Sequence, residues 1–560
     1  MSHVMNDRTH AGRVLRTSRP KRIRRVAHGI ARRLGVGVLV GVALMLAQSP
    51  GLAQSDKLVA AVSKPGTETN RFWSGSTMWH VMDPALEGLL DQDPVTGENT
   101  DKGLAVSWEA SDDFKVWTFK LRKGVQFHHG WGEFTAADVV HSYKLHTGPD
   151  AIIPTVDQLR GAKAEAVDRY TVQFTYPEPN KNLLFLHGGR SVMKIYSKAQ
   201  FDKEGLEGYD RKFAGTGRYQ FVSRRPGQIL YERFDKHYSS VKPDFNILEF
   251  RFVDEPATKL AMLLSGEAAI ADLPRELMKD ALAGGMKTAE SARAVIQTDV
   301  VLNGLYCESS DKACGKHLPW YDRKIREAMN IALNREEMVQ VLFPGGGAKL
   351  LPRYAMTPGH EGYDPTLVER FKKEYGYDPQ RARKLLKEAG YPDAFKDPTI
   401  RLVLKPSAGV PEVTLQMELI HQYLTAVGFK AELREIDHAT VGAMGRARKA
   451  YIIHPSKNAP PRPTEVAFRA FYSKPGGPYQ GWEDDWTSSN IKAFRAERDP
   501  EKRDAIARKI FNYLFEQYVS MPMFELRTQL AFNPKVVASW QFPGVTSTGY
   551  GHWHMVKAAK

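Results

Sequence analysis

Strand-like and helix-like segments alternate along this chain from Lys57 onward without an internal repeat, and that alternation limits the fold more than any single motif. Chains of βα units bury their strands under helices, so α/β lobes follow. About 500 residues lie beyond Ala53, more than one hydrophobic core spans, which sets at least two lobes.

The alternation is read from local signals. Lys57 to Val62 is a strand, and Thr77 to Leu90 a helix ending in the turn-rich Asp91 to Glu98. Lys115 to Leu121 sets Trp117, Phe119 and Leu121 against polar neighbours, the period of a half-buried strand. Thr135 and Asp138 form an acidic capping box for a helix from Ala136 to near Leu145. Tyr170 to Phe174, Gly217 to Val222, Gln228 to Arg233 and Ile247 to Phe252 are strands, and Pro256 to Leu264 is a helix closed by Gly266. Asp322 to Leu333, Asp378 to Ala389 and Pro411 to Val427 are amphipathic helices, closed by Asn334, Gly390 and Gly428. Strands Ile400 to Leu404 and Lys430 to Glu435 bracket the last of them. Asn458 to Gly477 is rich in Pro and Gly, lacks a period and reads as a loop.

Residues 1–53 read as a secretory signal peptide. Arginines and Lys21 crowd Arg13 to Arg33, an uncharged apolar run from Leu34 to Ala47 follows, and Ser49 to Ala53 supplies small residues for cleavage before Gln54. The run is about 14 residues, short of the roughly 20 that a bilayer-spanning helix needs. No cysteine stands near Gln54 to take a lipid, so a free periplasmic protein is expected. The leader holds ten Lys and Arg against Asp7, so it carries +9 of the formal +15 and leaves +6. So small an excess is no nucleic-acid footprint, which needs basic residues clustered on one face. Cys307 and Cys314 are the two cysteines. In an oxidising compartment such a close pair is best read as a disulfide closing a small loop, with free thiols or a metal pair as the other readings.

Gly103 to Asp113, Trp117 to His128 and Phe134 to Val140 come in order, followed by Gly215 to Tyr219, Phe250 to Thr258 and Leu263 to Glu267. Arg323 to Asn330, Tyr377 to Tyr391 and Asp499 to Arg503 complete the series. Together these segments resemble the landmarks of the family 5 solute-binding proteins of ABC importers, the dipeptide, oligopeptide and nickel binders. The resemblance implies a periplasmic binding protein-like α/β fold: two α/β lobes with a cleft between them and a subdomain inserted in the first lobe. The expected bounds are 54–80 and 211–300 for the first lobe, 81–210 for the inserted subdomain, 301–525 for the second lobe and 526–560 for the return. Crossings are expected near Thr298 to Asn303 and Glu525 to Gln529. A ligand touching both lobes stabilises their closed arrangement, and moving that state from 1% to 99% takes about 5.5 kcal/mol of preference.

Candidate ligand contacts come from two regions. After the first strand, Gly75 permits close approach, Ser76 and Thr77 offer hydrogen bonds, and Trp73 and Trp79 offer flat apolar area. The plain alternative is that Thr77 caps a helix and both tryptophans fill the lobe. In the second region, peptide binders of the family commonly place an aspartate for the peptide's amino terminus. Here Asp437 is the one acid between Ile436 and Glu465, while Lys457 and Arg462 are cationic. A cationic loop repels a buried ammonium, which favours an acidic or acceptor-rich ligand. Arg353, Asn458, Arg462, Tyr479 and Trp482 complete the candidates. His128-His129 cannot easily chelate one ion, since adjacent side chains on an extended segment point to opposite faces. His552 and His554 are a weak metal signal, and no cofactor is called for.

The chain lacks His-Glu-x-x-His, Gly-x-Ser-x-Gly and Walker signatures. The expectation is a monomeric, non-enzymatic periplasmic receptor for a small solute, delivering it to ABC permease subunits in the inner membrane. The alternatives are a peptide receptor with a displaced amino-terminal anchor, a secreted hydrolase on the same scaffold, or a holding chaperone.

Overall fold

A computed structural model describes residues 56–560 apart from 66–67, 76–78, 95, 97, 153–158, 188–192, 292–293, 307–317, 345, 353–359, 406–409, 459–462, 473–480 and 541–550. The side chains of 79, 438, 439, 446, 458 and 469–471 are also outside that description. The expected leader and the Cys307–Cys314 pair therefore lie outside the described residues.

The first lobe is built on a seven-stranded sheet. Its order is Lys287–Glu290, Gln529–Phe532, Ile270–Ala271, Lys57–Val62, Ile247–Phe252, Gln228–Arg233 and Tyr219–Arg225. Lys57–Val62 runs parallel to both of its neighbours. Leu58, Ala60 and Val62 enter one core, while Val59 and Ala61 face another beneath the helices Pro256–Ser265 and Arg275–Ala283. Burial on both faces explains why this strand reads as a continuous apolar run.

A four-stranded antiparallel sheet, Ala105–Ala110, Val116–Leu121, Thr171–Thr175 and Lys163–Asp168, stands apart from it. Trp117, Phe119 and Leu121 are buried as their period requires. The backbone N–H and hydroxyl of Thr135 both donate to Asp138 Oδ2, at 2.8 and 2.9 Å, fixing the start of the Ala136–Thr147 helix.

The second lobe carries a six-stranded sheet ordered Ala348–Leu350, Ser520–Leu526, Ile296–Leu302, Ile453–Asn458, Ile400–Leu404 and Ala431–Glu435. The Val413–Val427 helix packs on one face, and the helices Thr464–Phe471, Asp485–Ala496 and Pro500–Glu516 pack on the other.

Two passages join the sheets. One runs from Glu290 to Ile296 and the other from Leu526 to Gln529. The expected first crossing, Thr298 to Asn303, lies within or just past the Ile296–Leu302 strand of the second sheet, so the change of sheet comes earlier. That strand is buried throughout, its polar Gln297, Thr298 and Asp299 included, and nothing local marks where the chain changes lobe. The passages lie side by side: Ser291 N donates to Thr528 O at 3.0 Å, Thr528 N to Ser291 Oγ at 3.0 Å, and Val295 N to Leu526 O at 2.9 Å.

Three local readings are corrected. Of the described residues of Thr77 to Leu90, Trp79–Met82 alone is helical. Pro84 follows closely, and the carbonyls of Pro84 and Ala85 accept the backbone N–H groups of Tyr219 and Gly217 instead of continuing a helix. Asn334, read as a helix stop, caps the next helix, accepting from Glu337 N at 3.2 Å. The stretch expected as a loop, Asn458 to Gly477, contains the helix Thr464–Phe471, held by buried Val466, Ala467 and Phe468.

Candidate binding cleft

In open α/β sheets ligands meet the carboxyl ends of parallel strands. In the first lobe those ends are Ser63, after Lys57–Val62, and Asp272, after Ile270–Ala271. Lys259 Nζ bonds Asp272 Oδ1 at 2.5 Å and Ser63 Oγ at 3.1 Å, and Ser63 N donates to Asp272 Oδ2 at 3.0 Å. All three are buried, so the pair fixes the point at which the chain leaves the sheet.

Beyond it, the Tyr196 hydroxyl accepts from Phe72 N at 3.0 Å and donates to Asn70 O at 2.8 Å. Trp73 packs in the first-lobe core: it is 3% exposed, with its ring 5.1 Å from Tyr196, 5.7 Å from His146 and 6.2 Å from Tyr209. Gly75 ends the short Phe72–Ser74 turn at φ −103°, which any residue adopts. Ser76 and Thr77 lie outside the described residues, and Trp79 opens the Trp79–Met82 helix.

In the second lobe Ile453–Asn458 pairs antiparallel with Ile296–Leu302, bringing Asn458 opposite Gln297. Ile400–Leu404 runs parallel to it with Leu402 opposite Ile453, so Lys405 stands level with Ser456. This end faces the first lobe: burial and then the charge of Lys457 bring His80, on Trp79–Met82, down to about 3. Gln297, Asp299, Lys405, His454 and Ser456 are all buried polar residues in this region. His454 Nδ1 lies 3.0 Å from Pro455 O, while its Nε2 is buried without a hydrogen-bond partner among the described residues.

Trp482 is half-buried between the two second-lobe cores, with the Arg326 guanidinium 4.9 Å from its ring. Its indole N–H is buried and unpartnered among the described residues, leaving one donor unspent. Arg353, Arg462 and Tyr479 lie outside those residues, and Asn458 is placed by its backbone alone.

The lobes also touch beyond this line. Arg275, opening a first-lobe helix, places Nη1 3.1 Å and its backbone N 3.0 Å from Glu412 Oε1 of the second lobe, and its Nη2 2.5 Å from Arg527 O in the passage. Elsewhere, Asp112, Asp113 and Glu178, beside the four-stranded sheet, and Lys492, Arg495 and Arg498 of the second lobe line a cavity of about 640 Å³.

Other histidines serve the scaffold. His128 is fully buried, its Nε2 2.8 Å from Gly217 O, and His187 lies between Phe119 and Phe174. Sequence reasoning missed the Lys259–Asp272 pair and Lys405. The available signal for Lys405 was a charge directly ending the strand Ile400 to Leu404.

Comparisons with known proteins agree with this architecture. The glutathione-binding protein GsiB of Salmonella paratyphi A is 27% identical over 352 residues, a stretch covering 60% of this chain and 64% of that protein's length. The structure of periplasmic binding protein DppA from Helicobacter pylori, in complex with the peptide STSA, superposes with a TM-score of 0.74 at 20% identity, covering 90% of this chain and 99% of that one. MoaA from A. tumefacien R10, in complex with mannopinic acid, gives 0.71 at 22% identity, covering 88% and 97%. At such identities these likenesses establish the fold. The middle region of the bacterial extracellular solute-binding proteins, family 5, matches residues 100–478, and the chain belongs to that family.

Proposed function

We propose that the protein is the periplasmic substrate-binding component of an ABC importer, capturing a small polar solute between its lobes and passing it to a membrane permease without altering it. The observation that supports this reading is that two sheets, one with parallel strands ending at Ser63 and Asp272 and the other with a parallel strand ending before Lys405, are joined by two short passages hydrogen-bonded side by side. A solute held there bonds to both lobes at once and shifts the population toward closure. Glutathione, peptides and mannopinic acid, named for the three relatives, are small polar solutes of this kind.

Mass spectrometry of the solute released on denaturing freshly purified protein identifies the cargo. Re-adding it is expected to raise the melting temperature and to compact the scattering profile. Turnover of the compound, or no compaction by any cargo, would contradict the reading. Arg462→Ala is expected to weaken an acidic solute by about 1 to 3 kcal/mol, as for a charged hydrogen bond. Calorimetry giving an unchanged affinity removes that residue from the site.

A further inference from the structure

We propose that the walls of the cavity between the four-stranded sheet and the second lobe form an electrostatic latch that favours the closed arrangement of the lobes, an inference resting on the solute-capture reading above. One wall carries Asp112, Asp113 and Glu178, and the other Lys492, Arg495 and Arg498, across a space of about 640 Å³. Lys115 and Lys181 join the first wall and Glu465 the second, which leaves −1 on one side and +2 on the other. Both walls are held in place before they meet. Asp112 and Asp113 sit in the turn between Ala105–Ala110 and Val116–Leu121, where Asp113 Oδ1 accepts from the Ser111 hydroxyl at 2.6 Å and from Lys115 N at 3.1 Å. Phe114 O accepts Asn180 N at 3.0 Å, tying the segment that carries Glu178 to that turn. Opposite them, Lys492 and Arg495 lie on the Asp485–Ala496 helix, and Glu497 Oε1 accepts Arg498 N at 2.8 Å.

Arg495 is engaged within its own wall, its Nε 3.4 Å from Glu465 Oε1. Asp112, Glu178, Lys492 and Arg498 are exposed, and their side chains make no hydrogen bond or ion pair among the described residues. Two acids thus stand unspent on one wall and two cations on the other. Burial, then the charges of Arg503, Glu361, Glu465 and Arg498 on the second lobe, act on the Lys181 ammonium and leave it below the usual lysine range, so the walls stand within electrostatic reach. Narrowing the gap brings the unspent charges together. Exposed pairs are weak singly and are screened by salt, and two of them shift the ratio of closed to open molecules by roughly two- to thirtyfold. That biases a hinge without replacing the solute, since a shift from 1% to 99% closed takes about 10⁴-fold.

The test is small-angle scattering of the full secreted chain, dialysed free of cargo, in about 0.01 M and about 1 M sodium chloride, where charges are screened beyond about 30 and 3 Å. The unaltered protein is expected to have the smaller radius of gyration at low salt. K492E/R498E sets acid against acid and is expected to stay expanded at low salt. Adding D112K/E178K to it exchanges the two walls and is expected to restore the compaction. If K492E/R498E fails to melt cooperatively, D112K/E178K alone, which sets cation against cation, carries the comparison. A radius that does not rise with salt in the unaltered protein, compaction undiminished by reversing one wall, or no recovery in the fourfold variant would each overturn the latch. The two readings fail separately: a released cargo that compacts every variant equally leaves the receptor standing without a latch, whereas absence of any cargo, binding or solute-driven compaction removes the receptor itself.

Discussion

Between about pH 5.5 and 4.5 the protein is expected to unfold cooperatively, well above the range in which carboxylate protonation alone denatures most domains. His80, His128, His146, His187 and His454 are buried, and burial is the first cause bringing each to about 3. Unfolded histidine titrates near 6.5. Above that value neither state takes the proton and the folded state keeps its full advantage. Below it the unfolded chain binds protons that the folded chain refuses, so stability is lost as pH falls toward the folded value. Each histidine then removes about 1.4 kcal/mol per pH unit. Five together remove roughly 7 kcal/mol per unit, comparable to the whole stability of an ordinary domain. Glu87, which burial would raise but nearby His237, with Nε2 3.5 Å away, brings to about 2, adds to the loss below the usual glutamate range. A far-UV dichroism titration gives the midpoint. His187→Phe is expected to reduce the proton uptake of unfolding by one and to move the midpoint down, because His187 sits between two phenylalanines with both ring nitrogens buried and without a hydrogen-bond partner among the described residues. Unfolding confined to below pH 4 would show that these rings protonate in place.

Lys259→Met is expected to cost about 3 to 5 kcal/mol in urea unfolding, the typical penalty for stranding one charge of a buried pair. The stranded group is Asp272, which is 1% exposed and also accepts Ser63 N. Because Ser63 is where the first strand hands over to the cleft segment, the same variant should weaken solute binding even where the fold survives. Replacing both partners, as Lys259→Met with Asp272→Leu, should recover most of the stability, since an apolar pair of similar volume avoids the desolvation cost. Binding should remain impaired, with no carboxylate left to hold Ser63. A single-variant loss under about 1 kcal/mol would mean that water reaches the pair.

What could be read from the sequence follows the range of the interaction that decides each element. Trp117, Phe119 and Leu121 declare their strand because a period of two needs only neighbours. Thr135 with Asp138 declares a helix start because the cap closes within one turn. The same locality misleads at Asn334, where one residue suits a helix end and the next helix start equally well. At Thr464–Phe471, flanking prolines and glycines hide an apolar stripe that only the second-lobe core reveals. In the candidate cleft, the aromatic residue after the first strand was visible as a large surface, but its burial depends on Tyr196 and Tyr209, more than a hundred residues along the chain. Lys405 and Asp272 are visible as charges at strand ends but carry no local mark of their burial, since such a charge is buried or exposed according to which strands lie beside it.

The paired passages between the sheets set how the molecule can move. Two strands hydrogen-bonded through the joint form a ribbon, which flexes across its flat side far more readily than it twists about its length. Under the proposed function, the halves are expected to swing about one axis, like the covers of a book. A joint with a single soft mode would translate any cargo into one angle, and that angle is what the proposed permease would have to sense.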